Sequence, residues 1–399
     1  MVEVNVASVV PVDPVPASDP SAVLSSEERA RYARHLTLPE VGLEGQLRLK
    51  AASVLCVGSG GLGSPLLLYL AAAGVGRIGI VDGDVVDHSN LQRQVIHGTS
   101  TVGQGKTASA AARIADLNPH CRVEAHPVRL SVANALALCA DYDLVCDGTD
   151  NFPSRYLIND ACVLLNKPFV YGSVQGFDGQ VSVFNLTSSS PNYRDLVPEP
   201  PPPGLVPSCA QGGVLGVMPG LIGILQATEA IKVITGIGAP LDGRLLLVDG
   251  LAMRFRELKL QPIPGRAPIR QLIDYEAFCG VADADGEKSV MTSISVQELK
   301  QRLEAEDSLV LVDVRNPSEA EVAVIPGAEL IPLATIESGE AVERIRALAE
   351  GKPLYVHCKL GGRSAKAVQL LAAHGIEAIN VTGGIDAWSQ EIDPSVPRY

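Results

Sequence analysis

Ser53-Val54-Leu55-Cys56-Val57-Gly58-Ser59-Gly60-Gly61-Leu62-Gly63 is the stretch on which the fold turns. Its first five residues are, Ser53 apart, apolar and β-prone, which predicts a buried strand from about Ala51 to Val57. The glycines then end that strand and open an aliphatic helix running to about Ala73. Strand, glycine turn and helix in that order are the context in which G-x-G-x-x-G binds phosphate. The glycines let backbone N–H groups approach the ligand, and the helix N-terminus favours its charge. Asp82 lies 19 residues beyond Gly63, at the end of the strand RIGIVDGD, where a carboxylate accepts from ribose hydroxyls. Gly58, Gly60, Gly61, Gly63 and Asp82 are therefore nucleotide-binding candidates, and by themselves they fit NAD as well as ATP.

Working outward, Ser25 and Glu28 form a capping box ahead of a helix in ERARYARHL. KTASAAARIADL from Lys106 reads as a helix, and VEAHPV and DLVCDGTDN as strands. KPFVYGSVQG and GQVSVFN follow, the second as a hairpin partner. This alternation predicts an α/β fold with a doubly wound, Rossmann-like, mainly parallel sheet. From Ser188 the pattern breaks into SSSPNYRDLVPEPPPPGLVPSC, and Pro200–Pro203 predict an extended surface loop. A Gly-rich apolar helix, GVMPGLIGILQATEAIKVIT, resumes the pattern. The expected domains are a disordered leader (1–24), a first domain (25–280), a polar linker (281–290) and a smaller α/β domain (291–399). The last contains helix SVQELKQRL, strands LVLVDVR and PLYVHC, helix SAKAVQLLAAHG and strand AINVT, and is no copy of the first.

Composition agrees. A chain of 399 residues is long enough for two or three domains, and 46% hydrophobic against 19% charged residues is a globular balance. The net charge of −13 argues against a general nucleic-acid or anionic-membrane binder. No apolar run reads as a membrane span free of charge, Pro or a Gly-rich turn. Eight cysteines without a C-x-x-C pair predict a reducing cytoplasm rather than a disulfide framework. Six of them, Cys56 and Cys279 included, read as structural.

Three further motifs separate the nucleotides: Ser89-Asn90-Leu91-Gln92-Arg93-Gln94, Gly103-Gln104-Gly105-Lys106 and Asp147-Gly148-Thr149-Asp150-Asn151. Arg93 and Lys106 supply two cations for a triphosphate, and Asp150 is placed to hold Mg²⁺. In this order the motifs resemble the MoeB/ThiF family, bacterial relatives of ubiquitin-activating enzymes. Asn90, Arg93, Gln94, Lys106 and Asp150 sit at that family's motif positions. Arg34 in RYARHL matches the family arginine that reaches the nucleotide of a neighbouring subunit, which implies a homodimer. The resemblance runs on through GQVSVFN, PEPPPPGLVPSCAQGGVLGVMPG and QATEAIK to FRELKL. It implies ATP-dependent adenylation of the C-terminal glycine of a small ubiquitin-like sulfur carrier of the MoaD/ThiS type. Because a carboxylate is a poor electrophile, a mixed anhydride with AMP supplies the leaving group. Arg34, Arg93, Lys106 and a metal would offset the repulsion at the α-phosphate.

The sequence departs from that family at one place. Members usually bind zinc through two C-x-x-C pairs. Here the first pair's positions are Asn192 and Asp195, and the second region, PIPGRAPIR, has no cysteine. Four soft ligands cannot be assembled, so no zinc is expected and packing alone should hold the region.

Two cysteines are candidate nucleophiles. Cys358 opens Cys358-Lys359-Leu360-Gly361-Gly362-Arg363-Ser364 between a strand and a helix, where loop N–H groups form an anion nest that favours thiolate and persulfide. With DVRNPSE and INVTGGIDAW around it, the chain from about residue 291 resembles a rhodanese sulfurtransferase domain. Four residues separate Cys358 from Arg363, as in rhodaneses, and the resemblance makes Arg363 a candidate catalytic partner in the anion loop; Asp313 and Arg315 match a motif that braces the loop. Cys209 matches a family cysteine that links to the activated carrier or resolves the acyl disulfide.

The fusion predicts two stages: adenylation, then attack by a Cys358 persulfide, with Cys209 freeing a thiocarboxylate. A cysteine desulfurase or thiosulfate would load the sulfur, and the carrier would serve molybdopterin synthesis or, alternatively, thiamine or another sulfur pathway. Two rivals remain at this stage: a nicotinamide oxidoreductase, and a non-catalytic scaffold for a ubiquitin-like partner.

Overall fold

Every residue of β1 (Ser53–Val57) is buried, and its two faces belong to different cores. Val54 and Cys56 pack with Leu66, Leu70, Ile114 and Ile222. Leu55 and Val57 pack with Tyr156, Ala161 and Phe169. A strand covered on both faces needs a continuous apolar run rather than alternation, and SVLCV supplies it. This computed structural model describes residues 23–201, 213–280, 292–305 and 308–398. Outside them lie most of the expected leader, Pro202 and Pro203, Cys209 and the expected linker. The chain divides into two compact units, Met1–Ala284 and Asp285–Tyr399.

In the first unit β1 is followed by β2 (Arg77–Val81), β3 (Arg122–His126), β4 (Leu144–Asp147), β5 (Phe169–Gln175), β6 (Asp178–Phe184), β7 (Arg244–Asp249) and β8 (Arg254–Lys259). They form one sheet in the order β3-β2-β1-β4-β5-β6-β7-β8. The strands from β3 to β5 are parallel, and β6, β7 and β8 are added antiparallel. Helices Gly63–Ala73, Lys106–Leu117 and Val217–Thr235 supply the first core, and Phe152–Leu165 supplies the second. The unit is doubly wound, and the strand order reverses between β1 and β4. There the chain leaves a crevice at the strand carboxyl ends.

The second unit adds β9 (Ser293–Ile294), β10 (Val310–Asp313), β11 (Glu329–Leu330), β12 (Leu354–His357) and β13 (Ile379–Val381). Its sheet, in the order β11-β10-β12-β13-β9, is parallel throughout. β12 is central and buried, and it delivers Cys358 to its carboxyl end.

Local readings need correction in three places. The helix expected in ERARYARHL breaks at Tyr32 into Ser26–Arg31 and Ala33–Leu36, because Tyr32 is buried and takes a hydrogen bond from Asn118. Leu24, assigned to the disordered leader, is buried, and the Val23 carbonyl accepts from Lys50. Val217–Thr235 is, by length and composition, apolar enough to cross a membrane, although Pro219, Glu229 and Lys232 interrupt it. Its Met218, Ile222, Ala230 and Val233 are spent on the core instead. Lastly, the proline-rich stretch is not extended throughout. Asn192 caps a one-turn helix, Tyr193–Leu196, and Tyr193 is fully buried against Tyr156 and Tyr171.

That turn also corrects the expectation of packing alone. Asp195 has a fully buried side chain that accepts from Arg266 Nε and Nη2 at 2.8 and 3.1 Å. It also accepts from the backbone N–H groups of Asn192 (2.8 Å) and Ile263 (2.9 Å). An ion pair therefore joins the two segments that carry zinc ligands in the resembled family. Charge-assisted, forked hydrogen bonds of this kind are strong and directional. Asp195→Asn should lower stability by about 2 kcal/mol in a denaturant titration, since buried donors lose a charged acceptor. A metal chelator should leave the wild-type melting curve in place. A lower melting midpoint with chelator would contradict the clasp.

A second ionic tie joins β2 to β3. Glu124 accepts from Arg77 (2.6 Å) and from Tyr142 Oη (2.8 Å). The Arg77 guanidinium, chiefly, holds the Glu124 carboxyl down at about 2. Since the folded value lies below the unfolded one, the tie stabilises fully above the ordinary carboxylate range. That contribution is lost as pH falls from about 4.5 toward about 2. Stability measured across that window should fall less steeply in Glu124→Gln than in wild type. Equal slopes would remove the tie from the account.

Candidate functional site

The crevice at the switch point is a cleft of about 430 Å³. Its walls include Gly58, Gly60, Gly61, Asp82, Arg93, Lys106 and Asp150, which are seven of the ten nucleotide-site candidates. The other three, Gly63, Asn90 and Arg34, do not line it. Gly63 begins the helix beneath the loop, and a Cβ there would lie 2.0 Å from the Gly58 carbonyl oxygen. Gly58 has φ +94°, and its own Cβ would meet the Gly148 carbonyl oxygen at 2.7 Å. These glycines let the turns after β1 and β4 touch. Asn90 closes a capping box with Asp87, which shapes the turn that carries Arg93. Arg34 is exposed on the Ala33–Leu36 helix.

Asp82, expected to meet a ribose, also braces the glycine loop. Its Oδ2 takes the Ser59 N–H and Oγ–H, both at 2.9 Å, and its Oδ1 takes the Asp84 N–H. From the other side His97 Nε2 donates to the Ser59 carbonyl at 3.1 Å. Burial pushes the His97 imidazole below its usual value, so it acts as a neutral strut. The glycine loop is thus held in place before any ligand arrives.

The two expected cations are engaged locally. Arg93 Nη1 donates to the Ser89 carbonyl at 3.2 Å, and the buried Lys106 pairs with Asp84 at 3.0 Å. Sequence reasoning missed Arg129, which lines the cleft with an exposed side chain 3.8 Å from Asp84. It missed Arg155 as well. That buried guanidinium lies 3.4 Å from Asp147 Oδ2 and donates to the Thr149 carbonyl at 3.2 Å. Asp147 Oδ1 accepts from Thr149 N–H and Oγ–H at 2.8 and 2.6 Å. Together they brace the turn that presents Asp150, whose own carboxylate has no hydrogen bond or ion pair among the described residues. The only available signal was the Asn151 cap, which opens the helix carrying Arg155.

In the second unit Cys358 is almost wholly buried. Its Sγ accepts from the Gly361 N–H at 3.1 Å and from Ser364 Oγ at 3.4 Å. Gly361 has φ +104° and sits at the start of the Gly362–Ala373 helix, so the loop N–H is aimed at sulfur from a helix N-terminus. The Ile385 N–H fixes the Cys358 carbonyl at 2.9 Å. Arg363, read as a catalytic partner, has both Nη atoms on Glu319. Arg315, fully buried, binds Asp313 and reaches the carbonyls of Glu319 (3.3 Å) and Ala323 (2.7 Å). Burial keeps the adjacent His357 imidazole below its usual value, hence uncharged at neutral pH.

Residues 32–265 match the ThiF family, and residues 295–391 match the rhodanese-like domain. The chain belongs to the ThiF family. Among ThiF-family relatives, it is 49% identical to the probable adenylyltransferase/sulfurtransferase MoeZ of Mycobacterium tuberculosis, over 96% of this chain and 98% of that protein. It is 43% identical to the adenylyltransferase and sulfurtransferase MOCS3 of Bos taurus, over 98% of this chain and 91% of that protein. A crystal structure of Escherichia coli MccB superposes with a TM-score of 0.54 at 20% identity, covering 63% of this chain and 75% of that one. This last likeness concerns the fold. The relatives make this ThiF-family chain an enzyme of adenylyl and sulfur transfer, which sets aside the nicotinamide and scaffold readings.

The glycine geometry separates buried structural positions from cleft-facing ones. Gly63→Ala should unfold the loop and abolish nucleotide binding, because its Cβ would strike backbone. At Gly60 the nearest neighbour of a Cβ is the Gln94 side chain, at 3.6 Å. Gly60→Ala should therefore keep the fold's melting midpoint while weakening ATP in calorimetric titration. Equal loss of stability in both variants would refute this division.

Proposed function

We propose that the first unit uses ATP to adenylate the C-terminal glycine of a small ubiquitin-like sulfur carrier of the MoaD/ThiS type. Sulfur carried on Cys358 then converts that glycine to a thiocarboxylate, in molybdopterin synthesis. The observation that carries the reading is the convergence of the glycine loop, Asp82, Arg93, Lys106 and Asp150 on one cleft. A dinucleotide has little use for the last three, whereas a triphosphate under attack at its α-phosphorus needs them.

The carrier carboxylate attacks the α-phosphorus, pyrophosphate leaves, and an acyl-adenylate forms. Arg93 and Lys106 offset the charge that builds on the phosphates, and Lys106 exchanges Asp84 for phosphate as the nucleotide enters. Asp82 accepts from the ribose with its remaining lone pairs. The open carboxylate of Asp150 fits Mg²⁺, which commonly takes one or two protein carboxylates and completes its shell with phosphate and water. Magnesium there would screen the phosphate oxygens. Arg34, outside its own chain's cleft, fits service to a neighbouring subunit's nucleotide in a homodimer.

Cys358 takes the second stage. Its outer persulfide sulfur attacks the acyl-adenylate carbonyl and AMP leaves, giving an acyl disulfide. A thiolate, a role assigned to Cys209, then attacks the Cys358 sulfur of the acyl disulfide; the S–S bond breaks, its electron pair leaves with the thiocarboxylate, and a disulfide to Cys358 remains. A cysteine desulfurase or thiosulfate is the proposed source of sulfur, and the cytoplasm is the proposed site of action.

Carrier-dependent ATP–pyrophosphate exchange tests the division of labour. Cys358→Ala should retain exchange and lose thiocarboxylate formation. Arg93→Ala should lower exchange by about 10²-fold or more, the scale of removing one transition-state charge donor. Loss of exchange in Cys358→Ala would sink the two-stage scheme.

A further inference from the structure

The loop after β12 surrounds sulfur with neutral donors while its arginine is turned to another task. The Gly361 N–H and Ser364 hydroxyl face Cys358 Sγ. Arg363 Nη1 and Nη2 instead lie 2.6 and 2.7 Å from the two carboxylate oxygens of Glu319. Both side chains are only 15% exposed, so water screens this pair poorly and parting it is costly. The Glu319 carboxylate has a second anchor. Its Oε2 accepts from the Asn316 N–H at 3.0 Å in the capping box of the short helix Pro317–Ala320, and the Glu319 carbonyl of that helix is tied to Arg315.

We propose that Glu319 determines which sulfur donor loads Cys358: by engaging Arg363 it disfavours a dianionic donor such as thiosulfate and selects a singly charged alkyl persulfide. This rests on the reading that Cys358 is the sulfur acceptor. With either donor the Cys358 thiolate attacks the outer sulfur and the donor's S–S bond breaks. The bond's electron pair departs with sulfite or with an alkyl thiolate. Cys358 gains a persulfide, and no oxidant or reductant enters the balance. The donors differ in the charge brought against a thiolate, which is twice as large for thiosulfate. An arginine already matched by a carboxylate offers little to offset the excess, whereas the N–H cradle suffices for one charge.

The test is loading of labelled sulfane sulfur onto Cys358 in the full-length protein, from thiosulfate and from cysteine persulfide. Wild type should show a higher kcat/KM with cysteine persulfide. In Glu319→Gln, which keeps the shape and removes the charge, the ratio of the two kcat/KM values should move about tenfold toward thiosulfate, mainly through a lower thiosulfate KM. Glu319→Asp keeps the charge, so its ratio should stay near that of wild type. A Glu319→Gln variant with an unmoved ratio, or one that loses both donors in parallel, would overturn the proposal and make Glu319 a purely structural tie. If wild type takes sulfur from neither donor, or Cys358→Ala is labelled as well as wild type, the reading of Cys358 fails instead.

Discussion

The contact on which the proposed adenylation site depends is the touching of two turns across the β1–β4 switch point. Gly58 and Gly148 meet backbone to backbone, and Gly63 passes beneath the Gly58 carbonyl with no room for a methyl group. This closeness fixes where the glycine loop lies and where Thr149 and Asp150 emerge. Around it the protein places Asp82 and His97 on the Ser59 peptide, and Asp147 and Arg155 on Thr149. A preorganised loop need not reorganise when charge develops on a phosphate, which is the physical advantage of such a site.

The second unit solves a related problem on a smaller sheet. A central parallel strand ends at Cys358, a left-handed glycine turns an N–H toward sulfur, and a helix begins. In both units a strand–turn–helix junction presents backbone donors, which in the proposed scheme serve phosphate in one and sulfur in the other. The charged side chains nearby are largely paired with carboxylates: Lys106 with Asp84, and Arg363 with Glu319. In the proposed scheme selectivity depends on which of those pairs a substrate can part.

Much of this was legible locally. SVLCVGSGGLG announces strand, loop and helix because each signal lies within a few residues of the next, and the loop from Cys358 to Ser364 is legible for the same reason. The Asp195–Arg266 clasp was not, since its partners stand 71 residues apart and no periodicity links them. Sequence showed only that thiol ligands were missing there, and packing alone was the wrong inference. Glu319 and Arg363 are 44 residues apart, so the arginine was read as open to substrate. Arg129 and Arg155 escaped notice because a lone arginine in a loop or a buried helix carries no motif. The short helix at Tyr193 was obscured by the prolines that follow it, although Asn192 and Asp195 have the spacing of a cap.

The central claim is that one chain both activates a carboxylate and delivers sulfur to it. The most direct measurement is mass spectrometry of a MoaD/ThiS-type carrier's C terminus after incubation with the protein, ATP and a labelled sulfur donor. The account predicts a thiocarboxylate that carries the label and forms only when ATP and the Cys358 thiol are both present. A labelled thiocarboxylate formed without ATP, or formed equally by protein lacking that thiol, would contradict it.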